Sequence, residues 1–229
     1  MDIKLNYIDK GSGIPLVLLH GNGEDLTYFN NQIEYFSKNY RVIAVDTRGH
    51  GKSNRGTKAF TMDQFVEDLV YLLDSLNIDK IILLGFSDGA NIAMKFAIKY
   101  QNRLKLLILN SGNLYYSGAK KSIQIIIKLG YYLLKFFEIF NHKLKLKREI
   151  IGLMIYEPNL KEEDLHSINI PTLVIAGKKD MIKEEHTKLI ARNLKYSSLV
   201  IIPGNHFVAN KNPIIFNKEI EGYLNLNKD

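Results

Sequence analysis

Short aliphatic runs recur along the chain, separated by stretches whose apolar residues repeat at helical spacing. Residues 3–8 alternate, while residues 16–19, 41–45, 81–85, 105–109, 172–176 and 199–202 are compact apolar runs bounded by Gly, Asp, Asn or Pro. A run that is apolar throughout suits a strand covered on both faces, whereas strict alternation suits a half-buried one. Between them, Phe65, Leu69, Leu72, Leu73 and Leu76 form one stripe behind Thr61 and Gln64, which are placed for a capping box. Residues 88–100, 184–194 and 213–224 also read as helices, with Leu189 and Leu194 turned inward in the second. The alternation predicts an α/β fold: a mostly parallel sheet of about seven strands flanked by helices.

Residues 111–168 break that rhythm, being the longest interval without a convincing strand and rich in aromatic and basic residues. No repeat or low-complexity linker sets them apart, so a single domain over 1–229 is expected. In it, 1–110 and 169–229 form the core, and 111–168 is an insertion folded onto it. The simplest use of the insertion is a lid, with its apolar residues lining an acyl or alkyl pocket and its lysines facing water, a few of them placed to attract anionic substrates or a lipid surface. The plainer alternative is that the aromatics only pack the insertion down.

With 46% apolar and 24% charged residues, the 229-residue chain can bury a sizeable core. It has no cysteine, which excludes disulfides, zinc-thiolate sites, iron–sulfur clusters and thiol nucleophiles. Asp2, Lys4, Asp9 and Lys10 interrupt the first ten residues, so no export signal is read there. Lys128, Lys135 and Glu138 interrupt the greasiest stretch, 123–140, so neither a spanning helix nor stable membrane insertion is expected, and a cytoplasmic protein is. The net charge of +7 reads as a general Lys and Asn bias, without a nucleic-acid partner. Residues 118–150 nevertheless concentrate it, with eight Lys or Arg against Glu138 and Glu149.

The sharpest local signal is Gly85-Phe86-Ser87-Asp88-Gly89, where an aliphatic strand hands over to a helix. Small residues flanking a serine on such a turn let strand and helix approach closely while the hydroxyl points outward. A serine hydroxyl needs a base to take its proton and a carboxylate to orient that base. Asp180 lies just beyond the run 172–176 and His206 just beyond 199–202, so Ser87, Asp180 and His206 all fall at strand carboxyl ends, where an open α/β sheet keeps its crevice. Taken singly, Asp180 reads as a helix cap and His206 as a loop histidine. His142, His166 and His186 follow no sheet strand.

Stabilising a tetrahedral oxyanion takes two N–H donors, and the backbone of Asn22 and Asp88 is the expected pair. His20, which precedes that turn, is expected to anchor the loop. Gly49-His50-Gly51-Lys52-Ser53 ends like a phosphate-binding loop, but Asp46 stands where its leading glycine belongs. Leu26 breaks the dinucleotide pattern begun by Gly21 and Gly23, and no metal-ligand cluster is evident, so no cofactor or metal is expected.

Through His20-Gly21-Asn22-Gly23, the loop Asp46 to Ser53, Gly85-x-Ser87-x-Gly89, Asp180 and Gly204-x-His206, nearly the whole chain resembles the α/β-hydrolase fold family. The resemblance implies Ser87 as nucleophile, Asp180 as acid, His206 as base, a helical cap at 111–168, and Arg48 and His50 as scaffold. Two features depart from the family pattern: its usual first strand is missing, and the charged Asp88 follows the nucleophile. The expected activity is serine-dependent hydrolysis of carboxylic esters, thioesters included, of small to medium apolar molecules. The alternatives are carbon–carbon hydrolysis of a diketone-like substrate and a low-turnover ligand-binding protein on the same scaffold.

Overall fold

The computed structural model describes residues 2–227; Met1, Lys228 and Asp229, the ends of the expected single domain, lie outside the described residues. Seven strands form one sheet: β1 (Tyr7–Lys10), β2 (Pro15–Leu19), β3 (Arg41–Val45), β4 (Ile81–Phe86), β5 (Leu104–Asn110), β6 (Thr172–Lys179) and β7 (Ser197–Asn205). Their spatial order is β1-β3-β2-β4-β5-β6-β7. All pairs are parallel except β1 with β3, which is antiparallel. The alternating run at the amino terminus forms its strand later than its pattern predicts. Ile3 and Leu5 are buried without joining the sheet, and pairing begins at Tyr7 opposite Val45.

The helices are α1 (Asn30–Phe36), α2 (Met62–Ser75), α3 (Asp88–Tyr100), α4 (Lys121–Phe137), α5 (Leu144–Tyr156), α6 (Glu184–Asn193), α7 (Val208–Lys211) and α8 (Pro213–Leu226). Side-chain alternation along each strand splits the core in two. Val17, Leu19, Ile43, Leu83 and Leu109 join a cluster with α2, α3 and α6, while Leu16, Leu18, Val42, Leu84 and Ile108 join one with α1 and α8. Both faces are thereby covered, as a parallel sheet requires. Thr61 caps α2 by accepting the Gln64 N–H, but the Gln64 side chain donates to Asp68 at 3.0 Å, so only half of the expected capping box forms.

Buried polar groups fasten the loops at the carboxyl edge. The Asp46 carboxylate accepts the backbone N–H groups of Leu26 and Lys52, both at 2.8 Å, and the Asn6 side-chain amide at 2.7 Å. Arg48 is fully buried and bonds Asp68 and Asp2. An unpaired guanidinium there would be costly, so these partners explain how the loop tolerates it. Residues 111–168 contain α4 and α5, packed against each other, and no strand.

Candidate active site

At the β4–α3 junction Ser87 adopts φ 52° and ψ −117°, a left-handed backbone that is strained for a residue with a side chain. Two close approaches impose it. A Cβ on Gly85 would strike the Gly89 carbonyl, and one on Gly89 would strike the Leu19 carbonyl, so α3 starts directly against β2 and β4 only because both positions lack a side chain.

His206, just past β7, presents Nε2 at 3.0 Å from the Ser87 hydroxyl and Nδ1 at 2.6 Å from Asp180 Oδ1. The residues that the sequence places at three strand ends thus meet in one hydrogen-bonded row. His206 and Asp180 are buried and Ser87 is half-buried. Burial pushes the Asp180 carboxyl up, but hydrogen bonds and charge from His206, the Ser111 hydroxyl and the Ile182 N–H outweigh it and hold the group below its ordinary value. The Ile182 N–H at 2.9 Å closes a local turn, but the following helix starts at Glu184 behind Lys183 with no side-chain cap, so Asp180 does not serve as the helix cap that its position alone suggests.

Ser111 was not singled out by the sequence. Its hydroxyl donates to Asp180 Oδ2 at 2.6 Å from a residue with φ 58°, one position beyond β5. β5 and β6 are neighbours in the sheet, so a polar residue at the end of β5 was the available signal. Glu24 was also missed. Its carboxylate accepts the Gly21 N–H at 3.2 Å, and burial raises it to about 7 although that bond and the nearby His206 oppose the rise.

The Asn22 and Asp88 loops lie side by side: the Asn22 side-chain amide donates to Asp88 Oδ2 at 2.8 Å and to the Ile150 carbonyl of α5 at 2.7 Å. Among the described residues, neither the Asn22 nor the Asp88 backbone N–H is held by an acceptor. Burial pushes the Asp88 carboxyl up to about 6, against the Asn22 bond and the His206 charge. The side chain turns to Asn22 rather than to a basic residue.

His20, His186 and His166 hold structure. His20 Nδ1–H donates to the Gly21 carbonyl at 2.8 Å and Nε2 accepts the Thr47 N–H at 3.0 Å, tying the loops after β2 and β3 together. Burial lowers it to about 4, with His50 adding to the effect. His186 Nε2 accepts the Leu114 N–H at 3.0 Å, while His166 bonds Asn193 and His142 is exposed. Among the described residues no group of acidic or histidine side chains is arranged to hold a metal, and no helix is long and apolar enough to cross a membrane.

A family model described as the alpha/beta hydrolase fold matches residues 14–140. The 2-hydroxymuconate semialdehyde hydrolase of Pseudomonas sp. strain CF600 is 37% identical over 111 residues, which are 47% of this chain and 39% of that protein. The first curated relatives are covered over only 38–41% of their own length. Solved structures match far more of the chain. A thermophilic esterase from Thermogutta terrifontis is 26% identical with a TM-score of 0.77, covering 98% of this chain and 94% of that one. A meta-cleavage product hydrolase from Pseudomonas fluorescens IP01 is 22% identical with a TM-score of 0.80, covering 97% and 94%, a likeness of fold.

Proposed function

The chain belongs to the α/β-hydrolase fold family, and from that premise we propose that it is a serine hydrolase of carboxylic esters, thioesters included, with small to medium apolar groups. The observation that carries this reading is the row from Ser87 Oγ through His206 to Asp180 at 3.0 and 2.6 Å. In the proposed reaction His206 Nε2 takes the Ser87 proton as Oγ bonds to the acyl carbon, and the carbonyl π pair moves onto its oxygen. The Asn22 and Asp88 N–H groups receive that oxyanion. Collapse of the intermediate breaks the bond to the leaving alcohol or thiol, which leaves with the proton held on His206. Water then attacks the acyl-enzyme through the same base, releasing the acid and restoring Ser87. Asp180, held by Ser111 and Ile182, keeps the imidazole oriented and offsets its positive charge. No cofactor is needed. Residues 111–168 act as the cap, joined to the oxyanion loop through Asn22 and Ile150.

A second reading, hydrolysis of a carbon–carbon bond in a diketone-like substrate, is favoured by the hydroxymuconate-type relative and the meta-cleavage fold neighbour. It uses the same three residues. Intact-mass measurement after fluorophosphonate treatment tests the nucleophile: one adduct is expected, absent in Ser87→Ala. Turnover should fall about 10⁴-fold or more in that variant. Unlabelled, folded wild-type protein would overturn the serine-hydrolase proposal in favour of a binding protein. Turnover of a vinylogous diketone but of no ester or thioester would replace the ester assignment with the second reading.

A further inference from the structure

α4 is the most apolar helix of the chain outside the sheet core, yet Tyr131 is its only buried residue. Ile123, Ile127 and Leu134 lie half-buried on its inner side. On the outer side, Ile125, Leu129, Tyr132, Leu133, Phe136 and the following Phe140 are 48–75% exposed. They recur three or four residues apart, so they form one continuous stripe along the helix. Isolated exposed apolar residues are ordinary, but a stripe of large ones on one helix marks an interaction surface.

The charges beside the stripe say what that surface fits. Lys121, Lys128 and Lys135 are exposed at seven-residue spacing, two helical turns apart, and so line one flank. Lys143, Lys145 and Lys147 are exposed around the start of α5. Of the few acidic groups nearby, Glu138 is taken by Arg148 and Glu149 by Arg55. An apolar stripe edged by lysines matches a bilayer surface with anionic headgroups, where the ring and aliphatic groups enter the acyl boundary and the ammonium groups remain at the phosphates. A second copy of the chain would bring the same lysines face to face, which opposes self-association through this surface. At 17 residues, about 25 Å at 1.5 Å per residue, the helix is too short and too charged to span. It can lie in the interface plane.

We infer that α4 is a reversible docking helix for anionic phospholipid surfaces. The inference is independent of the proposed reaction, because binding is read without turnover and can be measured in Ser87→Ala. Flotation of the full chain with phosphatidylcholine vesicles, with and without phosphatidylserine, provides the test. Binding is expected to the phosphatidylserine vesicles and to weaken in high salt. Lys128→Gln with Lys135→Gln should reduce partitioning about fivefold for each lysine removed. Leu129→Glu with Phe136→Glu should abolish it. All four positions are exposed, and unchanged circular dichroism and thermal midpoint would show that the variants fold. Failure to bind phosphatidylserine vesicles, or binding that survives the glutamate pair, would overturn the inference. So would a lipid-free dimer that the glutamate pair dissociates, since a second copy would then be the occupant.

Discussion

α3 and α4 are both apolar helices of three turns or more, and they stand in opposite environments. Nine of the thirteen residues of α3 are buried, against one of seventeen in α4. α3 is seated at its first turn: Gly89 admits the Leu19 carbonyl, and the hydroxyl of Ser87, just before it, bonds His206. α4 is held by one face, mainly against α5, and leaves the other open. Apolar composition alone therefore says little about where a helix sits. What distinguishes the two is small residues, which permit close approach, and the topology that supplies a partner face.

That contrast can be tested by the same substitution in each helix and by changes in the groups around them. Gly89→Ala should be the most damaging, because its methyl meets backbone that cannot move aside; a loss of about 3 kcal/mol is expected in urea unfolding, with activity lost as well. Acid should weaken the same end of the molecule. Native His20 titrates near 4 and an unfolded histidine near 6.5, so the unfolded chain binds the extra proton within that window. Stability from this source is intact above the window and declines as pH falls through it, by roughly 3 kcal/mol when complete. Glu24 and Asp88, whose carboxyls are raised, act in the opposite sense over the same window, so the sign is read from the difference in denaturant midpoint between wild type and His20→Gln; a difference that moves in favour of wild type on acidification would contradict it.

Ser111→Gly should be milder and act on rate. Glycine tolerates the positive φ but lacks the hydroxyl that holds Asp180 and accepts from Asn110, so kcat should drop about tenfold with KM little changed, and the buried groups left unpaired should lower stability by about 1 kcal/mol. An unaltered kcat would reduce Ser111 to packing. The smallest effect belongs to α4. A Cβ on Gly130 meets only Ile151 at 3.8 Å, so Gly130→Ala should stabilise by about 0.5 to 1 kcal/mol. A destabilisation comparable to that of Gly89→Ala would abolish the distinction between the helices.

Seven strands, the helix at 88–100 and the convergence of Ser87, Asp180 and His206 were legible because each has a local signature: an apolar run, a stripe, or a polar residue immediately after a strand. Ser111 carries the same mark, directly after β5, but nothing local ties it to Asp180. Its role exists only because β5 lies beside β6, a relation between segments far apart in the chain. The displaced β1 has a similar cause, since Ile3 and Leu5 keep the alternating pattern while the sheet partner, β3, reaches only Tyr7 to Lys10. Whether the apolar residues of 111–168 face a pocket or the body was a question their pattern left open; the structure adds a third orientation, outward, for much of α4.

β5 ends at Asn110 and β6 begins at Thr172, yet the two lie side by side, and Ser111 and Asp180 meet across their ends. Everything between is one excursion whose two ends the sheet has already joined. The entropy of closing a chain rises only logarithmically, about 0.6 kcal/mol for each doubling of length. Length can therefore be added to or taken from the outward part of that excursion, around α4, at little cost in closure entropy, whereas Ser111, Leu114, Leu153, Leu165 and Ile168 are buried in the body and hold its ends, so the bond between Ser87 and His206 can outlast such changes.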